Sequence, residues 1–113
     1  MTLSNQSCVP CRGGEAVLKE DEIKKFLIEL VDGWEVLGED ESTEGKLVKT
    51  FEFKDFSEAL NFVNKVGELA EKEVHHPNIY LHDYNKVKLE LYTHKIGGLH
   101  KNDFILASKI DGL

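Results

Sequence analysis

The sequence has few of the residues that staple small proteins together. Of its 113 residues only two are cysteine, two proline, one methionine and one tryptophan. Cys8 and Cys11 form a single C-x-x-C pair. Two thiols cannot complete a four-cysteine zinc site, and no histidine lies close in sequence to add ligands. A thioredoxin-like motif wants a strand before it, and Ser4-Asn5-Gln6-Ser7 is not one. The pair reads as a chemically idle part of a tail. No apolar stretch approaches the roughly 20 residues that span a bilayer, and residues 1–14 lack an apolar signal core. The expectation is a cytoplasmic protein with no membrane partner. A basic excess is missing too: 21 acidic residues face 14 basic ones, for a net charge of -7. Contact with a phosphate backbone needs a Lys/Arg patch, and the longest basic run is Lys24-Lys25. Nucleic acid is therefore not an expected partner.

What is present suits one core. With 41% hydrophobic residues, a chain of this size buries roughly two thirds of its unfolded surface. Residues 1–17 read as a flexible arm, with Pro10, Gly13, Gly14 and no periodicity. Residues 18–113 read as a single domain. Ile23, Phe26, Leu27, Leu30 and Val31 recur at helical spacing behind Glu20, Asp21 and Glu22, and Gly33 ends that helix. Trp34 to Leu37 and Leu47 to Phe53 predict a hairpin with a long charged loop, its inner face interrupted by Lys49. Asp55 and Glu58 open a second helix, carried by Phe56, Ala59, Leu60, Val63, Val66 and Ala70 to about Val74. Ile79 to Leu81 predicts a short strand. Val87, Leu89 and Leu91 alternate with Lys86, Lys88, Glu90 and Tyr92, as in a half-buried strand. After Gly97-Gly98, residues 100–113 predict a last helix, with Asp103 three residues after a His100 in the cap position. The order α-β-β-α-β-β-α favours an α+β domain: a four-stranded antiparallel sheet with three helices packed on one face.

Three of the five histidines stand at the ends of these elements: His75 and His76 before Pro77, and His94 after the last strand. Histidine both gives and takes a proton near neutral pH. Glu71 lies one helical turn before His75, where a carboxylate would orient the imidazole for acid/base work. Two histidines at a helix end would also complement the negative pole of the helix dipole. A shared metal is disfavoured, because adjacent side chains diverge on a helix and no further ligand completes a set. Proline pushes His76 out of the helical region, so the two imidazoles should point differently. Trp34 is a core residue or the wall of a pocket for a flat ring.

Glu71-x-x-x-His75-His76-Pro77, then Tyr84, Asn85-Lys86-Val87, Thr93-His94, Gly98-Leu99 and Asp103 resemble the pterin-4a-carbinolamine dehydratases. The resemblance implies a lyase that removes water from a 4a-hydroxytetrahydropterin, giving the quinonoid dihydropterin and recycling the cofactor of an aromatic amino acid hydroxylase. It implies His75 and His94 as acid and base, His76 as a polarising group, and Glu71 as the orienting group. Pro77, Trp34, Thr93 and Asp103 are the expected substrate contacts. It implies no metal and no cofactor, the pterin being substrate, and a homodimer or homotetramer. A transcription-factor dimerisation partner and a pterin-related role near molybdenum-cofactor metabolism are the alternatives it carries.

Overall fold

The computed structural model describes residues 3–8, 18–37, 45–93 and 98–113. In chain order they form a short 3-10 turn (Leu3–Asn5), α1 (Glu20–Ile28), β1 (Glu35–Leu37), β2 (Lys46–Glu52), α2 (Phe56–Glu73), β3 (Asn78–His82), β4 (Lys86–Leu91) and α3 (Lys101–Asp111). The strands make one antiparallel sheet in the order β1-β2-β4-β3. Its two hairpins are joined through β2 and β4, with Leu47 opposite Leu91 and Phe51 opposite Val87.

Strand β4 follows its sequence alternation. Val87, Leu89 and Leu91 are buried, and Lys86, Lys88 and Glu90 are partly exposed. The buried set joins Leu47, Phe51 and Phe53, and meets Ala59, Phe62 and Val66 of α2 and Phe104 to Ala107 of α3 in one core. The helices cover that face. The other face carries Thr50, Lys88 and Tyr80 in register, and is polar. Helix α3 is buried along most of its length, which makes it the element the others wrap. Helix α1 has no fully buried residue and rests on α3 through Phe26 and Phe104, whose rings are 5.4 Å apart.

Several expectations change. Phe56 and Leu60, expected on the inner face of α2, are exposed, and Phe62 is buried in their place. Helix α1 stops at Ile28 rather than at Gly33, and Val31, expected on its buried face, is exposed. Its last amides fall back to tighter bonds, Glu29 N–H to Phe26 and Leu30 N–H to Leu27, the usual way a helix narrows before it ends. The chain then turns at Gly33, whose φ of 115° suits glycine. Lys49 does lie in the core-facing register of β2, but it is satisfied there. Its Nζ is 2.9 Å from Asp111 Oδ1 and lies over the Phe51 and Trp34 rings. Of the expected arm, residues 3–8 are among those described. Leu3 is 2% exposed and belongs to the core, and Cys8 is half-buried against it. Cys11 lies outside the described residues.

The end of α2 holds a strained residue. Val74 is left-handed, with φ 52° and ψ 43°, and its amide still bonds back to Ala70 and Glu71. A β-branched residue there costs about 1–2 kcal/mol, since its Cβ crowds the following carbonyl. Val74 is itself exposed, so its side chain returns little packing energy. Val74→Gly should therefore stabilise the fold by about 1 kcal/mol, read as a higher urea midpoint at unchanged slope. An unchanged or lower midpoint would show that the turn is not strained.

Candidate active site

The left-handed turn at Val74 ends α2 and sets the direction of the next side chain. The His75 amide closes the turn on Ala70 O at 3.1 Å, the pattern in which the residue after a left-handed cap reaches back over the last helical turn. The His75 ring then crosses to α3, where Nε2 is 2.6 Å from Asp103 Oδ1. His76 goes the other way. Its ring is partly in solvent, 3.5 Å from the more exposed Glu71 carboxylate. Pro77 follows, partly buried, and β3 begins at Asn78.

Asp103 is completely buried. Its Oδ2 accepts the Thr93 hydroxyl at 2.9 Å and the His100 amide N–H at 2.9 Å. The second of these is half of a capping box. His100 occupies the cap seat, and its Nδ1 accepts the Asn102 N–H at 3.0 Å. Thr93 is brought in by the end of β4 and by its pairing with Gly98. Three donors thus converge on one carboxylate, which is what a buried charge requires. An ionised carboxylate only accepts, so Nε2 of His75 carries the proton in this bond. That leaves Nδ1 as the ring atom available for chemistry: an acceptor in the neutral ring, a donor in the charged one.

The expected site residues therefore divide. His75, Thr93 and Asp103 come together. Asp103 and Thr93, expected as substrate contacts, are hydrogen-bonded to each other, and Asp103 also to His75 and His100. Glu71, expected to orient His75, lies against His76, and the carboxylate that holds His75 is Asp103. The reason is the left-handed cap, which swings His75 off the helical face that a one-turn spacing assumes. Trp34 is not beside His75. Its indole N–H donates to Asp111 Oδ2 at 2.8 Å, and Asp111 ends α3 eight residues after Asp103, about 12 Å along the helix. His94 lies outside the described residues. Among the described residues, no group of three or more His, Cys, Asp or Glu side chains is placed to hold a metal ion, and no helix is long and apolar enough to cross a membrane. The pairing of Asp103 with His75 had a sequence signal only in hindsight: an acid in the third position of a helix whose cap is not Ser or Thr.

The chain matches the family model described as Pterin 4 alpha carbinolamine dehydratase over residues 16–113. It is 43% identical to a protein of Alkaliphilus metalliredigens over 96% of this chain and 93% of that one. It is 45% identical to one of Rickettsia canadensis over 96% and 94%. Both relatives are provisionally named pterin-4-alpha-carbinolamine dehydratases. Among solved structures it is similar to a transcriptional coactivator/pterin dehydratase from Brucella melitensis. There the TM-score is 0.72 and the identity 34%, over 85% of this chain and 96% of that one.

Removing the Asp103 carboxylate would leave the Thr93 hydroxyl, the His100 amide and the His75 ring without their acceptor. Asp103→Ala should cost about 3 kcal/mol or more in urea denaturation. Asp103→Asn, which keeps one acceptor oxygen, should cost less. Near-neutral unfolding of the alanine variant would mean that this carboxylate does not organise the site.

Proposed function

The chain belongs to the pterin-4a-carbinolamine dehydratase family, and on that premise we propose that it dehydrates 4a-hydroxytetrahydropterin and so recycles the pterin of an aromatic amino acid hydroxylase. The reaction is redox-neutral. The C4a–O bond breaks, the hydroxyl leaves as water after taking up a proton, N5 gives up its proton, and the N5 electrons form the C4a=N5 bond. Two proton transfers on one flat ring call for an acid and a base held in place, and imidazoles serve both roles.

The observation that carries this reading is the His75 ring fixed through Nε2 by a fully buried Asp103. A ring held on one nitrogen presents the other in a defined direction, which is how a positioned acid or base gains its advantage. In this proposal His75 works through Nδ1 and His94 is its counterpart. His76, partly in solvent beside Glu71, polarises or positions the substrate, with Pro77 at the rim. Asp103 and Thr93 act through His75. Strands β1 and β3 are the sheet edges. Among the described residues no further strand pairs with them, and such edges suit strand pairing with a second copy, the basis for proposing a homodimer or homotetramer.

Two measurements test this. His75→Ala and His94→Ala should each slow dehydration of synthetic 4a-hydroxytetrahydropterin by ~10²-fold or more above the spontaneous background, with unchanged circular dichroism. Wild-type rates in both variants would end the acid/base assignment. Light scattering should give a dimer or tetramer mass, and a strict monomer would remove shared-sheet pairing.

A further inference from the structure

Glu73 is out of place by local rules. It is the last residue of α2, where a negative side chain faces the negative pole of the helix. It is also buried, at 8% exposure. Its carboxylate nevertheless lies below the usual carboxylate range. The Cys8 amide hydrogen bond is the main cause, helped by Lys109 and opposed by burial. One oxygen, Oε1, accepts the Cys8 amide N–H at 2.9 Å. The other, Oε2, accepts Lys109 Nζ of α3 at 3.1 Å. Cys8 Sγ in turn lies 3.6 Å from the carbonyl oxygen of Asn102. Burial, with Glu73 beside it, raises that thiol to about 12, so it stays protonated and donates.

These contacts fall at telling places. Glu73 stands two residues before His75, and Asn102 one residue before Asp103. The segment that joins them, Leu3 to Cys8, is anchored by the buried Leu3, and the Gln6 amide bond to Leu3 O closes its own turn. It lies outside residues 16–113, the span that the family model matches. A buried carboxylate placed against the helix dipole needs compensation, and here it comes from two other segments of the chain.

We propose that Glu73 is a positioning residue for the dehydration. By clamping the N-terminal segment and α3 onto the end of α2, it fixes the separation and orientation of the His75–Asp103 pair. Glu73 touches no reacting atom in this scheme and acts through His75. The inference rests on the function proposed above, but the state of the His75 ring can be read without turnover.

The test uses the full chain in two parallel measurements. Steady-state dehydration of 4a-hydroxytetrahydropterin gives kcat and KM. Nitrogen-15 NMR of the histidine rings, titrated with pH, gives the His75 tautomer and titration midpoint. Glu73→Ala should lower kcat by roughly tenfold at nearly constant KM, since small misplacements of a catalytic group carry large rate penalties. It should also move the His75 titration and mix its ring tautomers. Cys8→Pro, which removes the amide donor, should reproduce both effects at unchanged circular dichroism. The two changes together should do no more than either alone. Glu73→Gln, which keeps an acceptor for the Cys8 amide, should restore most of the rate, and Cys8→Ala, which keeps the amide and loses only the thiol contact with Asn102, should lose much less rate than Cys8→Pro. Wild-type kcat and an unmoved His75 titration in both Glu73→Ala and Cys8→Pro would overturn the clamp. If the wild-type protein itself fails to dehydrate the pterin, the proposed function falls, and the NMR titrations still decide whether Glu73 positions His75.

Discussion

The structure turns on one buried carboxylate. Asp103 lies wholly out of solvent, and a charge there persists only if donors surround it. The donors come from three places: the His100 amide before α3, the Thr93 hydroxyl after β4, and the His75 ring beyond α2. Satisfying Asp103 therefore brings together the ends of two helices and a strand. Each of those ends is otherwise a point where regular structure gives out and backbone groups lack partners. One carboxylate satisfies the start of α3 and fixes the direction of the His75 ring.

The geometry around His75 depends on an unfavourable residue. Val74 is held left-handed at the exit of α2, and strain of this kind persists only where neighbouring contacts over-determine it. Those contacts are visible on both sides. Glu73 is tied to Cys8 and Lys109, and His75 to Ala70 and Asp103. The result is two adjacent imidazoles with opposite environments, one against a buried anion and one in solvent beside Glu71. At the far end of α3 a second enclosed ion pair, Lys49 with Asp111, also takes the Trp34 indole N–H. That pair explains how a lysine sits in the core-facing register of β2 without disrupting the sheet.

The element order was legible because hydrophobic spacing is strong here. The alternation through β4 appears in the structure as a buried face, as do Ala59, Val66 and Ala70 of the α2 stripe, whereas Phe56 and Leu60 of that stripe are exposed and Phe62 is buried instead. The capping roles of Asp55 and His100 were readable for the same reason: caps involve residues two or three apart. Helix α1 was less legible. Its apolar spacing runs past Ile28, but little tertiary packing holds its last turn, and propensity alone does not sustain a short helix. The candidate site was half legible. His75 and His76 at the end of α2 marked it, the Pro77 rule separated the two, and His94 lies outside the described residues.

By itself the sequence determined the α+β class, the two hairpins, the N-terminal caps of α2 and α3 and the presence of an imidazole-rich end to α2. All of these follow from residues within a few positions of one another, where periodicity and local hydrogen bonding decide the outcome. Only the tertiary structure decided which carboxylate serves which histidine. A one-turn spacing favoured Glu71 for His75, and that argument assumes the helix continues. It ends instead in a left-handed residue, and the ring turns to Asp103, 28 positions away. The same holds for Glu73 and Cys8, which are 65 positions apart. Separations of that size carry no local signal, because they are set by how helices and strands stack over a shared core. The opening motif, Glu71 to Pro77, thus proves to hold two sets of contacts: Glu71 with His76 at the surface, and Glu73 and His75 with the ends of the chain that close over them.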